Sequence, residues 1–474
     1  MYILMVVIFV LGYVAIALEH KIKIDKAASA LFIGVSTWTV YVFGAESILN
    51  LDYSLSVNEI LRNGTVLLDN LQAFLLENKG WENLKHNNVI NHFIVHELRH
   101  HMVEISEILF FLLGAMTIVE LIDAHEGFAV ITKRIKTTNK VTLMWLLCLI
   151  AFFFSAVLDN LTTAIVMSAL IKKLIRDKED MWFFGGMIII SANAGGAWSP
   201  IGDVTTIMLW IGGQVTAGNI VTSIFIPSLV ATLIPLLILT FTLKGNITSP
   251  KSDSDDDYSP ISDKQRNIVF FLGLGALLFV PVFKTVTHLP PFMGILFGLS
   301  VLWIVTELMH KNKSVHERKE YSVIGVLTKI DVPSVLFFLG ILAAVASLQS
   351  AGHLTQLATV LDVSLGDAFG DDAKIFSINI IIGFLSSIVD NVPLVAAAMG
   401  MYPMAMYSQD HMFWEFLAYC AGTGGSCLII GSAAGVAMMG ILKIDFVWYL
   451  KKISWLAIIG YLSGAVTYIL LVDN

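Results

Sequence analysis

The chain has 474 residues, of which 56% are hydrophobic and only 14% are charged, and its mean hydropathy is +0.78. Soluble proteins are about a quarter charged, so this composition places the chain among integral membrane proteins. The formal net charge of -8 argues against nucleic acid as a partner. Cys148, Cys420 and Cys427 lie in apolar stretches without a CxxC pair, which is typical of buried hydrophobic residues rather than disulfides or metal ligands.

The apolar segments predict ten membrane spans, because a span needs about 20 apolar residues. They lie near residues 2–19, 27–45, 106–123, 181–211, 220–243, 267–283, 291–309, 332–350, 412–441 and 453–472. The first lacks the basic start and cleavage site of a signal peptide, so we predict a retained span. Without a Ser/Arg-rich leading extension, a bacterial inner (plasma) membrane is favoured over an organelle.

Two further apolar stretches, 141–171 and 375–401, are each interrupted by an Asp-Asn pair. Two full crossings with a turn need about 40 residues, and neither stretch is that long. We therefore predict that each is a re-entrant hairpin that enters the membrane and turns back. Such irregular backbone is tolerated only where protein or a wet cavity surrounds it.

Loop charges predict opposite orientations for the two hairpins. Basic residues at 133–140 and 172–178 flank the first hairpin, and basic loops stay in the cytoplasm. Acidic residues at 362–372 and 410–415 flank the second hairpin, so both of its ends are predicted to be external.

A polar, Ser/Asp-rich linker at 244–266 divides the chain into a first repeat, 1–243, and a second repeat, 267–474. Each repeat is predicted to contain five spans and one hairpin. The same charge argument puts the linker in the cytoplasm. It puts the acidic loop 46–105 outside, together with the N-terminus and the C-terminus.

The two repeats share sequence patterns in the same order. The pattern F-x-S-x-x-[LV]-D-N-[LV] occurs at 153–161 and at 384–392. Downstream, Gly-Gly followed by Ile-Gly occurs at 195–202 and at 424–431 with identical spacing. The predicted fold is an all-α polytopic membrane protein with two inverted-topology repeats of five spans plus one re-entrant hairpin each. Transporters with this architecture bind their substrates near the bilayer midplane, where broken helices meet.

Charged residues inside spans cost about 2.5 kcal/mol or more and are functional candidates by default. Asp159 and Asp390 lie at the hairpin tips, and Asp203 lies in the Gly- and Pro-containing span near 193–206. Helix capping is the alternative role for the tip aspartates. The breaks also carry amide and hydroxyl oxygens, which with carboxylates suit a hard cation, at Asn160, Thr162, Asn193, Thr205 and Thr206.

We predict Na+ at Asp159, Asn160, Asn193 and Asp203. No Lys or Arg lies near these breaks in the sequence, so an anionic substrate would lack a counter-charge. A buried carboxylate that holds either a proton or a sodium ion, but not both, would couple the two ions.

Four more acidic residues are candidates for a proton relay. Glu104 and Glu107 enter the third predicted span, and Glu120 and Asp123 lie near its end. For Glu120 and Asp123 an interfacial anchoring role is an equal alternative.

His96, Glu97 and His100 match H-E-x-x-H, the zinc-binding helix of metalloproteases. A membrane metalloprotease is therefore an alternative from another functional class. No later motif supplies a third ligand, and the repeats would go unexplained. We instead expect these histidines to line an external vestibule.

The stretches EISEILFFLLGAMTIVELIDAHEGF (104–128), SAVLDNLTTAIVM and SANAGGAWSPIGDVTT resemble the NhaD-type sodium/proton antiporters of the ion transporter superfamily. The resemblance runs from about residue 100 to the end. It implies two inverted repeats with re-entrant hairpins and a homodimer. The residues that it implies are needed for transport are Ser155, Asp159, Asn160, Asn193, Asp203, Thr205, Thr206, Ser386, Asp390, Asn391, Ser426 and Ser432.

Sodium-dicarboxylate relatives of that superfamily have Ser-Asn-Thr at both tips, where this chain has Asp159 and Asp390. Ser432 stands in the second repeat where Asp203 stands in the first, so the ion site is predicted to be asymmetric. We expect a secondary transporter, not an enzyme, that needs no cofactor and exchanges cytoplasmic Na+, and also Li+, for external H+. A sodium-coupled organic-anion symporter is the alternative within transport.

Overall fold

The structure is a computed structural model that describes residues 1–17, 19–49, 51, 53–54, 86–132, 135, 137–247, 261–313, 320–369, 371–388 and 390–472. Several predicted features lie at least partly outside the described residues. They are the external loop over 55–85, the basic residues 133, 134 and 136, and the linker over 248–260.

The described chain is helical on both sides of the linker. Before the linker the helices are α1 Tyr2–Ala17, α2 Glu19–Ile22, α3 Lys26–Leu49, α4 His86–Ala124, α5 Ala129–Thr132, α6 Lys140–Leu158, α7 Asn160–Leu174, α8 Lys178–Ala197, α9 Val204–Ile211 and α10 Ala217–Thr242.

After the linker the helices are α11 Asp263–Thr287, α12 Pro291–Met309, α13 Val323–Leu327, α14 Val332–Ser350, α15 His353–Phe369, α16 Asp371–Ser386, α17 Asn391–Met401, α18 Met412–Gly424, α19 Ala433–Leu442, α20 Phe446–Lys452 and α21 Ser454–Val472. A short 3-10 turn, Gly425–Cys427, follows α18 directly.

Polar side chains begin several helices by accepting hydrogen bonds from free backbone N–H groups. Asn139 caps α6 through the N–H of Thr142. Ser262 and Gln265 form a reciprocal capping box at the start of α11. The helix starts are therefore encoded locally in the sequence.

Eight described helices are long and apolar enough to span a membrane, namely α3, α4 over Val89–Ala124, α6, α10, α11, α12, α14 and α21. The pair α19 and α20 passes the same test together but bends by 116°. The other predicted spans correspond to the shorter helix α1 and to the broken pairs α8–α9 and α18–α19. The prediction of an all-α polytopic membrane protein is confirmed.

The structure differs from the sequence prediction around the third span. The helix α4 begins at His86, whereas the prediction placed an external loop up to residue 105. Val89, Ile90, Phe93 and Ile94 of this extension are buried, and their spacing is that of one helical face. Because polar residues lie between these apolar ones, the segment is not apolar enough to be predicted as a span. Likewise α15 occupies part of a predicted acidic loop.

The described chain forms two compact units. The first unit comprises Met1–Leu109, Asp331–Ile378 and Val392–Tyr407. The second unit comprises Phe110–Ile330, Asn379–Asn391 and Ser408–Asn474. Each unit takes segments from both sides of the linker, so the units are not the two sequence repeats.

In the first unit α3 packs closely against α14. Gly34 and Gly340 let the two backbones touch, because a Cβ on Gly340 would overlap the backbone of Ala30. The indole N–H of Trp38 donates to the carbonyl of Ala343 at 2.8 Å. Small residues at such a crossing are typical of helix packing in membranes.

In the second unit two helices are surrounded by protein. Every residue from Phe184 to Ala197 in α8 is buried, and so is every residue from Phe413 to Gly424 in α18. The two helices contact each other, and both contact α10. A Gly-Gly pair lies in the last turn of α8, at Gly195, and at the end of α18, at Gly424, and an irregular segment follows each helix. The two breaks therefore lie inside the protein.

Candidate ion-binding site

The break between α8 and α9 centres on Asp203, which is 1% exposed. Its Oδ1 accepts hydrogen bonds from the backbone N–H of Thr205 at 2.9 Å and from the Thr205 hydroxyl at 2.8 Å. Asp203 is thereby the N-cap of α9. The partial positive charge of a helix N-terminus favours a carboxylate at this position.

Each predicted hairpin tip contributes an asparagine whose side-chain amide contacts Asp203. The Nδ2 of Asn160 donates to Oδ2 of Asp203 at 2.7 Å. The Nδ2 of Asn391 lies 3.3 Å from both Asp203 oxygens. Within the described chain no lysine or arginine forms an ion pair with Asp203. The carboxylate is therefore held by neutral donors, which a cation could replace.

Asn193 of α8 extends the network to the second break. Its Oδ1 accepts a hydrogen bond from Nδ2 of Asn160 at 3.3 Å. Its own Nδ2 donates to the hydroxyls of Ser426 and Ser432, each at 2.9 Å. The four residues and Asp203 thus form one buried, connected set of polar side chains.

Asp159 lies at the first tip, between α6 and α7. Its Oδ1 accepts from the backbone N–H of Thr162 at 2.8 Å, and its Oδ2 accepts from the Thr162 hydroxyl at 2.9 Å. Asp159 is therefore the N-cap of α7, so the predicted capping role is present. Its φ of 71° is a backbone conformation that non-glycine residues rarely adopt. Strained backbone of this kind is concentrated at functional sites.

The two breaks make matching contacts at matching positions. Ser155 of the first hairpin donates its hydroxyl to the carbonyl of Ala192 at 2.5 Å. Ser386 of the second hairpin donates to the carbonyl of Ala421 at 2.9 Å. Each serine therefore ties its hairpin to the buried helix beside it.

The glycines at the two breaks also make matching contacts. A Cβ on Gly195 would overlap the backbone of Phe152, and one on Gly424 would overlap the backbone of Gly383. Ser432 caps α19 through the N–H of Gly435, as Asp203 caps α9. The backbones of the two breaks are built alike, but only the first carries a carboxylate at the cap.

Several predicted ligands lie outside the hydrogen-bonded set. Asp159 and Thr162 bond to each other and have no described hydrogen bond to Asp203 or its partners. Thr206 is buried, and its hydroxyl has no hydrogen-bond partner in the described part of the chain. Asp390 is partly exposed and lies near enough to Asp203 for their charges to interact.

The four relay candidates are not joined to the Asp203 network by a described hydrogen bond. Glu104 belongs to the first unit, where it lies 3.7 Å from both His100 and His101. Glu107 is partly exposed on the same helix. In the second unit Glu120 and Asp123 lie near Lys329.

The H-E-x-x-H residues lie on the extended N-terminal part of α4. Glu97 is buried and accepts from the Ser350 hydroxyl at 3.4 Å. No group of three or more His, Cys, Asp or Glu among the described residues is arranged to hold a metal ion.

Two residues near the site were missed in the sequence. Gly422 is the counterpart of Asn193, and a Cβ there would lie 3.9 Å from Oδ2 of Asp203. The loop-charge pattern places Glu415 outside the membrane, but it lies in the buried helix α18. The predicted span 412–441 contains Glu415, and a charge inside a span is the sequence signal for this residue.

The sequence also matches known transporters. The citrate transporter family (CitMHS) matches residues 13–421. Sodium/proton antiporter 2 of Arabidopsis thaliana is 40% identical over 98% of this chain and 98% of its own length. Sodium/proton antiporter 1 of the same plant is 43% identical over 98% of this chain and 72% of its own length.

A bacterial relative gives the same result. The Na+/H+ antiporter NhaD of Vibrio cholerae is 30% identical over 79% of this chain and 80% of its own length. These matches and the apolar helices identify a multi-pass membrane transporter rather than an enzyme. The chain belongs to the citrate transporter family and to the NhaD-type sodium/proton antiporters.

Proposed function

We propose that the protein is a secondary antiporter that exchanges cytoplasmic Na+, and also Li+, for external H+. The observation that carries the proposal is the environment of Asp203. This carboxylate is buried, its hydrogen-bond donors are neutral, and two of them come from the two hairpin tips. A buried ion without a counter-charge is costly, so Asp203 gains either from a proton or from a metal cation.

The proposed sodium ligands are Asp159, Asn160, Asn193 and Asp203. Turning the Asn160 amide over replaces its NH2 group by its oxygen and frees Oδ1 of Asn193, so both residues can present oxygen when Na+ enters. Thr162, Thr205 and Thr206 add hydroxyl oxygens, and Asp390 and Asn391 add a second tip. Oxygen ligands of this kind suit a hard cation. A proton on Asp203 excludes Na+, which gives exchange.

We further propose that 1–243 and 267–474 are inverted repeats joined by a cytoplasmic linker, with both hairpins re-entrant. The matching serine and glycine contacts of the two breaks support this proposal. Alternating access would then arise by movement of the broken-helix region, as in other transporters with inverted repeats. The proposal also includes external termini, a homodimer and a proton relay through Glu104, Glu107, Glu120 and Asp123.

A sodium-coupled organic-anion symporter is the second candidate, because the matching family is described as citrate transporter. The site favours the antiporter. Asp203 and Asp159 would repel a carboxylate substrate, and no described lysine or arginine pairs with Asp203 to offset that charge.

The test is sodium-driven proton movement in acid-loaded everted membrane vesicles, followed with a pH-sensitive dye. NaCl should alkalinise the lumen of vesicles with the intact protein and have little effect with Asp159→Asn. Asparagine is also a good N-cap, so this variant keeps the start of α7. The matched control is Asp177→Asn, which changes the surface N-cap of α8 in the same way and should retain exchange.

Two results would contradict the proposal. Normal exchange by Asp159→Asn would remove that carboxylate from the transport path. Absence of any NaCl response with the intact protein, together with citrate or dicarboxylate uptake driven by a sodium gradient, would establish the symporter instead.

A further inference from the structure

The first turn of α18 holds a second buried carboxyl group, that of Glu415, which is 7% exposed. Its Oε1 accepts from the amide of Asn219 on α10. Its Oε2 accepts from the phenol of Tyr468 on α21 at 2.6 Å. Both donors are neutral, and no described lysine or arginine forms an ion pair with Glu415. Such a group in a membrane protein is a functional candidate by default.

Tyr468 can serve both protonation states of Glu415. Its hydroxyl lies 2.6 Å from Oε2 of Glu415 and 3.3 Å from the carbonyl of Met412. When Glu415 is ionised, the phenol donates to the carboxylate. When Glu415 gains one proton, its new O–H donates to the phenol oxygen and the phenol O–H turns to Met412. Each donor then keeps an acceptor, so neither state leaves an unpaired polar hydrogen.

The helix α18 joins Glu415 to the Asp203 site. Gly422 is seven residues further along, about 10 Å at 1.5 Å per residue, and Glu415, Tyr419 and Gly422 lie on one face of the helix. A Cβ on Gly422 would lie 3.9 Å from Oδ2 of Asp203. A single buried helix therefore carries one carboxyl group at its start and approaches the other near its end.

Titratable groups lie near Glu415 at the start of α18 and on α21. His411, the N-cap of α18, is partly exposed and close enough for its charge to interact with Glu415. Asp410 accepts from the backbone N–H of Thr216 at 2.6 Å. Tyr468 is the titratable group that faces it from α21. His411 thus gives Glu415 a neighbour that exchanges protons with water.

We propose that Glu415 is a second proton-binding carboxylate of the exchange cycle, loaded through His411 and linked by α18 to Asp203. This inference rests on the proposed Na+/H+ exchange. It assigns the proton a binding position separate from the sodium ligands.

The test compares Glu415→Gln with Glu179→Gln in proteoliposomes, with Na+/H+ exchange measured across a range of pH. Glutamine mimics protonated glutamate and keeps bonds to Asn219 and Tyr468, so folding is retained. Glu179 is an exposed glutamate in the first turn of α8 and controls for the chemical change. We expect Glu415→Gln to shift the pH profile of exchange. The control should match the intact protein.

Tyr468→Phe removes the switching hydroxyl but keeps the carboxyl group, and it should also shift the pH profile. An unchanged profile in Glu415→Gln would overturn the inference. So would a loss of rate by the same factor at every pH, because that is the behaviour of a purely structural clamp. If the intact protein shows no sodium-driven exchange, the proposed function itself fails, and this inference fails with it.

Discussion

The two helix breaks of the second unit have matching backbones and different charges. Both breaks begin at a Gly-Gly pair, both receive a serine hydroxyl from a hairpin, and both restart a helix with a side-chain cap. The first cap is Asp203 and the second is Ser432. In the second break, Gly422 also replaces the amide of Asn193. The difference teaches that the two breaks share their backbone arrangement, whereas only the first has a carboxylate at its helix cap.

The second break still contributes to the first. Asn391 of the second hairpin reaches Asp203, and Ser426 and Ser432 orient Asn193. Asn391, Ser426 and Ser432 are therefore neutral groups from the second half that position ligands of the first. This difference predicts that substitutions at the matching glycines change stability similarly in both breaks, whereas substitutions of the polar groups have different effects in the two breaks.

Gly195→Ala and Gly424→Ala test the shared part and should have the largest effect on stability. Each new Cβ would overlap the backbone of a hairpin helix, and backbone cannot move away as a flexible side chain can. We expect each variant to lose about 1–3 kcal/mol, the usual cost of overpacking. Thermal unfolding in detergent checks this. Gly440→Ala is the control, because a Cβ there meets open space.

A large loss in Gly195→Ala with none in Gly424→Ala would break the comparison. It would mean that only one of the two contacts supports the fold.

Ser426→Ala and Ser432→Ala test the supporting role of the second break. The two hydroxyls accept from the same amide of Asn193, so either one alone should hold it. Each single variant should lower sodium affinity only slightly, and the double variant should lower it by about tenfold or more, as for groups that orient metal ligands. Ser432→Ala should also cost about 1 kcal/mol of stability through the lost cap.

Isotopic sodium binding to the purified variants measures the affinity. Additive, equally large losses in the two single variants would show direct coordination by both serines rather than shared positioning.

The smallest effect is expected away from both breaks, at His125 and His310. Their Nε2 atoms lie 2.9 Å apart, next to Tyr321 and Lys313. Burial lowers the pKa of both imidazoles, that of His310 to about 4. Because folding keeps the histidine neutral, its full contribution to the free energy of unfolding is present above the pKa of 6.5 that it has in the unfolded chain. That contribution is lost as the pH falls toward 4.

His310→Gln should therefore reduce the drop in unfolding temperature between about pH 7 and about pH 5. The pair of unfolding curves for the intact protein and the variant measures this. An unchanged drop would show that other groups set the acid sensitivity. The result also separates the effect of pH on stability from its effect on exchange.

Much of the fold and part of the site could be predicted from the sequence. Interrupted apolar stretches located Asp159 and Asp203, and the paired patterns located Ser155 and Ser386 in matching positions. These features are local, because a break or a motif is visible in consecutive residues. The long start of α4 was missed since its buried face alternates with polar residues.

Two features of the site depend on packing between distant segments. Gly422 approaches Asp203 from a helix more than two hundred residues away in the chain, and a glycine carries no chemical signal of that contact. The predicted span 412–441 contains Glu415, but its partners on α10 and α21 are not visible in a local charge pattern. Such contacts follow from the tertiary arrangement, so a sequence pattern alone did not predict them.

The central claim is that sodium and protons compete for the carboxylate of Asp203. At about 4 Å and an effective dielectric constant of about 20, a charge pair is worth about 4 kcal/mol, roughly a thousandfold in affinity. The most direct measurement is proton release from the purified protein in weak buffer on adding NaCl, with Asp203→Asn and Ser432→Ala in parallel. The account predicts release by the intact protein and by Ser432→Ala, and none by Asp203→Asn. Normal release by Asp203→Asn would contradict it.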